Sequence, residues 1–213
     1  MLIDPQQIQP HEFYRYMVQV ITPRPIAWVS TISPSGATNL APFSFFNGVG
    51  ANPPSVVFAP VNNRHGEKKD TLRNIEANGQ FVVNIVSHAL AEDMNQSAYE
   101  YDYEVSEFEH AGLSAKPSQA VKPPSVAESP VVMECETIQV LSLGEGPLAA
   151  NLVIGRVLLM HLDDQLCDAQ GKIDPASLDT IGRMGGSDYC TTRDRFEMPR
   201  PEGPSLENKT TKS

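Results

Sequence analysis

The chain has 213 residues, 40% of them hydrophobic, with 26 acidic against 16 basic side chains and a net charge of −10. That supplies one large core, and all-β domains often reach this length as a single unit. The acidic balance argues against binding nucleic acid through its phosphates, which takes a basic surface, but it leaves room for a small anion held by a few local cations.

Residues 1–12, polar with two prolines, read as an extended lead-in. Phe13 to Val20 admits a helix or a strand, and is taken as a helical turn running into a strand at Val18–Ile21. Ile26 to Ile32 (IAWVSTI) is β-branched and aromatic, a strand signature, and Ser33-Pro34-Ser35-Gly36 is turn chemistry. The return run from Thr38 to Gly48 (TNLAPFSFFNG) carries Pro42 in its middle, so it cannot be a central strand throughout. Its ordinary reading is a strand that bends at Pro42 and packs its aromatics in a core. The alternative is that Asn39, Ser44 and Asn47, hydrogen-bonding groups among aromatics, face a flat, partly polar ligand.

Ser55 to Val61 is a nearly continuous apolar run, predicted to be a strand buried on both sides. The loop that follows, NNRHGEKKDT, is locally basic at Arg64, Lys68 and Lys69. Most such loops are simply solvated. The functional alternative is an anion site, with Asp70 or Thr71 capping a helix over Leu72–Asn78 that stops at Gly79. Gln80–Val86 reads as a buried strand and His88–Ala98 as an amphipathic helix. Tyr99–Glu109 is acidic and aromatic, a surface segment with a helical end, and Ala111–Pro130 is an ordered loop.

Val131–Leu141 and Ala149–Leu162 are strands joined by a turn at Gly144–Pro147, with Gly155 marking a bulge or a barrel bend. Pro175–Leu178 makes one helical turn. TIGRMGGSDY (Thr180–Tyr189) is either a tight turn or a close backbone approach. Residues 199–213 read as an extended or disordered tail. The whole, 1–213, is one mainly β domain, a barrel or sandwich.

Three cysteines without CxxC spacing read as reduced thiols of a cytoplasmic protein, and five scattered histidines show no metal-site spacing. No signal peptide is evident, and no apolar run approaches the ~18 residues of a membrane span.

Eight segments occur in order between Tyr14 and Pro201: ITPRPIAWVST, NLAPFSFFNGVGANPPSVVFA, KKDTLRNIEANGQFVVNIV, EFEHAGLSAKPS, AESPVVMECE, LVIGRV, KIDPASLDTIGRMGGSDYC and FEMPRP. In these the chain resembles the flavin reductase-like family with the FMN-binding split β-barrel fold, close to flavoredoxins and the reductase component of nitrilotriacetate monooxygenase. The resemblance implies an antiparallel, partly Greek-key barrel with flanking helices, forming a homodimer with FMN near its interface. It implies that Asn39, Ala41, Pro42, Phe43, Ser44, Phe45 and Asn47 line the flavin, with Arg24 pointing to the same site. It further implies that Lys69 and Thr71, with Arg64 or Lys68, hold the phosphate, and that Arg183 and Tyr189 lie near the flavin's open face.

Only the 64–71 loop clusters the cations a dianionic phosphate requires. Hydride transfer from NAD(P)H to flavin needs no protein acid or base, so no catalytic residue is assigned. No GxGxxG follows a strand, so no dedicated nicotinamide site is expected. Three functions follow: an NAD(P)H-dependent flavin reductase, supplying a partner monooxygenase or redox protein; a non-catalytic electron carrier with bound FMN; or a flavin sensor.

Overall fold

The computed structural model describes residues 1–201, so the tail expected over 199–213 lies almost wholly outside them. Helix α1 (Pro10–Val20) opens the chain. Pro10 sits in its first turn, where no N–H is needed, and Glu12 accepts from the Gln9 N–H at 3.0 Å. The helix runs through the stretch read from sequence as a strand. A tertiary contact decides this: Arg24 donates to the Val18 and Ile21 carbonyls, both at 2.6 Å, and so caps the helix end.

Strands β1 (Ala27–Ile32) and β2 (Thr38–Phe43) form a hairpin around Gly36, whose φ of 100° suits glycine. Then come β3 (Phe46–Ala51), β4 (Pro54–Phe58), helix α2 (Asp70–Asn78) and β5 (Gln80–Ile85). Helices α3 (Ala91–Gln96) and α4 (Glu107–His110) follow. The segment expected to be loop pairs a short β6 (Ala115–Lys116) with β7 (Ser125–Val126). The long β8 (Val131–Ser142) and β9 (Asn151–Leu162), helix α5 (Pro175–Leu178), and the hairpin of β10 (Ile181–Arg183) and β11 (Tyr189–Thr191) complete the described chain.

Seven strands make one antiparallel sheet in the order β2-β1-β5-β8-β9-β4-β3. Its two edges, β2 and β3, are consecutive in the chain and joined only by Ser44 and Phe45. Two residues reach less than about 11 Å even with both flanking bonds counted, so the sheet must roll until its edges meet. The result is a barrel split between β2 and β3.

Inside it lies a cluster that includes Val29, Phe58, Leu72, Phe81, Val83, Cys135 and Val153. The alternate residues of β1, Trp28 among them, pack outside the barrel against Met94 and Phe108. Strand β1 is therefore buried on both faces. Strand β4, predicted to be so, is not: Val56 and Phe58 are buried on the inner face, while Ser55 and Val57 on the outer face are only half-buried, because among the described residues little covers that face. Gly155 pairs with Thr137 beside a register shift in β8. A side chain at this position would meet the Phe81 ring at 2.3 Å, so the glycine serves the packing of the barrel interior.

Candidate functional site

The chain does not leave regular pairing at Pro42. Strand β2 continues to Phe43, and the break falls at Ser44–Phe45. Leu40 donates its N–H to Glu107 Oε2 at 2.8 Å, so the even-numbered residues of β2 turn their main-chain groups away from β1. Pro42 has the same parity. Its missing N–H would have faced the free edge, so proline costs no ladder bond there.

An open cleft of about 700 Å³ lies along this edge. One wall is β2, with Asn39, Ala41, Pro42 and Phe43. The floor is the start of α2, with Lys69, Thr71 and Arg73, and the far wall is Tyr99–Tyr103 with Glu107. The N-cap of α2 is Lys69, whose side chain cannot cap, rather than Asp70 or Thr71. Both expected caps are engaged elsewhere: Asp70 Oδ1 receives Arg73 at 3.2 Å, and Thr71 Oγ1 receives Asn39 Nδ2 at 2.9 Å. The first N–H groups of α2 have no partner within the helix and no side-chain cap, and the helix dipole makes this end positive.

A buried polar network sets the shape of the floor. Thr31 Oγ1 receives Asn39 Nδ2 at 3.2 Å and Asn74 Nδ2 at 3.0 Å, and Asn74 Oδ1 accepts from Tyr103 at 2.8 Å. These bonds join β1, β2, α2 and the far wall. Thr71 accepts within this network, which leaves its own O–H free to donate. Asn39 is 5% exposed, and its amide group orients Thr71.

Charge in the cleft is mixed. Lys69 pairs with Glu100, Lys68 with Glu76 at 2.7 Å, and the Arg73 guanidinium lies 3.8 Å from the centre of the Tyr103 ring. Burial pushes the Glu107 carboxyl up to about 7, against the N–H bonds it accepts, with the charge of Asp70 adding to the rise.

The remaining predicted residues divide into other places. Arg24, Ser44 and Arg183 line a second cleft of about 480 Å³, beside Tyr14 and Val18 of α1. It adjoins the first through the Phe43–Ser44 peptide. Arg24 is 4% exposed and donates to Ser44 Oγ at 3.2 Å and to the Met184 carbonyl at 2.9 Å, besides the end of α1. Phe45 packs near it, with Arg24 Cζ 5.7 Å from the ring centre. Gly185 turns the β10–β11 hairpin where a side chain would strike Gln19 at 2.8 Å, so both readings of the glycine pair hold: a turn and a close approach. Arg183 bonds the Gly186 carbonyl at 2.6 Å and lies 4.4 Å from the centre of the Tyr189 ring. Tyr189 itself faces a third cleft with His88 and Cys190. Asn47 is exposed on the outer edge strand, and Arg64 bonds His65 at 3.1 Å on the solvated loop, outside the lining of the first cleft.

The sequence reading missed the far wall. Tyr99, Tyr101 and Tyr103 alternate with acidic residues, a two-residue spacing that presents aromatics to one side, and this was the available signal. Glu107 carried none. Among the described residues no metal-type cluster occurs, and no helix is long and apolar enough to cross a membrane.

Comparison with known proteins identifies the family and the fold. A flavin reductase like domain matches residues 19–177. An uncharacterized protein of Deinococcus radiodurans is 40% identical, over 88% of this chain and 84% of its own. The crystal structure of nitrilotriacetate monooxygenase component B from Bacillus cereus superposes with a TM-score of 0.88 at 34% identity, covering 93% of this chain and 98% of that one. A split-barrel-domain structure from Shewanella frigidimarina shares the fold, with a TM-score of 0.79 at 23% identity over 94% of this chain and 100% of that one. The rolled seven-stranded sheet is thus a split barrel, and the chain belongs to the flavin reductase-like family.

Proposed function

We propose that the chain binds FMN along the first cleft and acts as an NAD(P)H-dependent flavin reductase. One observation carries the reading: the uncapped start of α2, with Lys69 and the Thr71 hydroxyl, stands at one end of a free sheet edge formed by β2. That donor set suits a dianionic phosphate, since charge-assisted bonds and helix N–H groups converge there. The free edge offers the Pro42 carbonyl to a hydrogen-bonding ring edge, and Ala41 is small enough to admit a flat ring beside it. At the far end Ser44 and Phe45, held by Arg24, border the ring site. Bound flavin would supply the two-electron chemistry, and the protein's part is to orient and enclose it.

The same reading makes the protein a homodimer. No residue of α1 is buried, although it carries Phe13, Tyr14, Tyr16 and Val20. Leu158, Met160 and Leu162 stand exposed in a row on β9. Three free thiols suit a reducing, cytoplasmic setting.

The test is an anaerobic titration of the FMN-loaded protein with NADH and NADPH. Loss of the oxidised flavin absorbance with either supports the reductase. A loaded protein that neither donor bleaches leaves the electron-carrier function instead. Lys69→Ala and Thr71→Ala should each weaken FMN binding by about 1.5–3 kcal/mol, the usual contribution of a bond to a charged group, measured by flavin fluorescence quenching. Unchanged affinity in both would remove α2 from the site.

A further inference from the structure

The cations of the first cleft are all engaged by the protein itself. Lys68 meets Glu76, which belongs to α2, and Arg73 meets Asp70 of the same helix. Lys69 is different. Its partner, Glu100, comes from across the cleft, in the middle of the Tyr99–Tyr103 wall. Glu100 is largely exposed, with 62% of its side chain in contact with solvent, whereas Lys69 retains 33%. The carboxylate therefore reaches in from solvent to the lysine that stands at the α2 N-terminus.

We infer that Glu100 competes with the phosphate of the ligand for Lys69, and that this competition keeps the flavin exchangeable. The inference rests on the placement of FMN proposed above. A dianionic phosphate and a carboxylate cannot both sit against one ammonium without repelling each other. Binding FMN then requires Glu100 to leave Lys69, and release of FMN is assisted by its return. Glu100 has somewhere to go, since its ordinary environment is water. The contact from Lys69 holds the Glu100 carboxyl below its usual range, so it remains an anion, and a full competitor, at neutral pH. A ligand without a phosphate, such as riboflavin, meets no such competition. Glu100 thus acts on the phosphate end of the ligand and on nothing else.

The experiment compares dissociation constants for FMN and riboflavin in the full chain and in Glu100→Gln. Asp102→Asn serves as control, since it removes one negative charge from the same wall, at a residue lining the same cleft. Glu100→Gln should tighten FMN by about two- to fivefold, the factor expected of a half-exposed ion pair, and slow its dissociation correspondingly. Riboflavin affinity should not change. The gain should vanish when Lys69→Ala is combined with Glu100→Gln. If Asp102→Asn tightens FMN equally, or riboflavin gains as much as FMN, only general charge is at work and the inference is overturned. If Lys69→Ala alone leaves FMN affinity unchanged, the placement of the phosphate has failed first, and that outcome is separable from the others.

Discussion

Two buried glutamates, in two regions of the barrel, meet opposite fates. Glu107 links α4 to the free edge of β2, and Glu134 links β8 to the loop at 119–121. Both are nearly inaccessible, at 6% and 1%. Burial pushes both carboxyls up, and the surroundings decide the rest. Glu107 accepts from Leu40 and from its own N–H, has no cation, and stands near Asp70, so its carboxyl rises to about 7. Glu134 accepts from Gln119, Ala120 and Val121 and meets His161 Nε2 at 2.6 Å, so it is held below the usual carboxylate range. Burial alone does not decide ionisation; the number of donors aimed at the group does. The loop over β8 is built around a permanent anion. The cleft wall is built around a group that changes charge near neutral pH.

The largest effect should follow Glu134→Gln. The amide presents N–H to donors that expect an acceptor, and leaving buried donors unsatisfied should cost about 3 kcal/mol, seen as a lower urea midpoint. A loss below about 1 kcal/mol would mean that water reaches these donors. In the wild type this contribution is present above pH 4.5 and is lost as pH falls through the depressed value, because the unfolded chain takes up the proton first.

Glu107 gives the opposite slope in a different window. Between 4.5 and about 7 the folded chain holds a proton that the unfolded chain has released, so stability falls as pH rises through that range. At ~1.36 kcal/mol per pH unit the full effect has an upper limit of about 3 kcal/mol. Glu107→Gln keeps an acceptor for Leu40 and should flatten this slope, so its advantage over wild type should appear at pH 8 and shrink by pH 5. Parallel curves for the two proteins would show that Glu107 does not titrate there.

The smallest effect should come from His161→Gln. A third of the His161 side chain is exposed, and the backbone donors already stabilise Glu134, so about 0.5–1 kcal/mol is expected from the same urea titrations. A loss as large as that of Glu134→Gln would make His161, not the loop, the basis of the contrast.

The same division separates what could be read in advance from what could not. The IAWVSTI strand, the Gly36 turn, the Asn78-Gly79 stop and the long β9 were legible because each is written in local residue types. The Lys69–Thr71 corner was legible as the one local cluster of cations in an acidic chain. The continuation of α1 through Val20 was not, since it depends on a guanidinium from Arg24 reaching back to two carbonyls. Nor was the division of the residues expected to line the flavin: Arg24 and Ser44 in one cleft, Asn39 and Pro42 in another, Asn47 on an outer edge.

The sequence by itself determined the strand content, the turns and the locally basic character of the Lys69–Thr71 corner. Periodicity, turn residues and charge act over a few positions and need no partner. Only the tertiary structure decided that the sheet rolls until β2 meets β3, that Asn39 orients Thr71, and that Glu100 lies against Lys69. Those facts depend on contacts between residues tens of positions apart, which burial and hydrogen-bond satisfaction select together and no local pattern records.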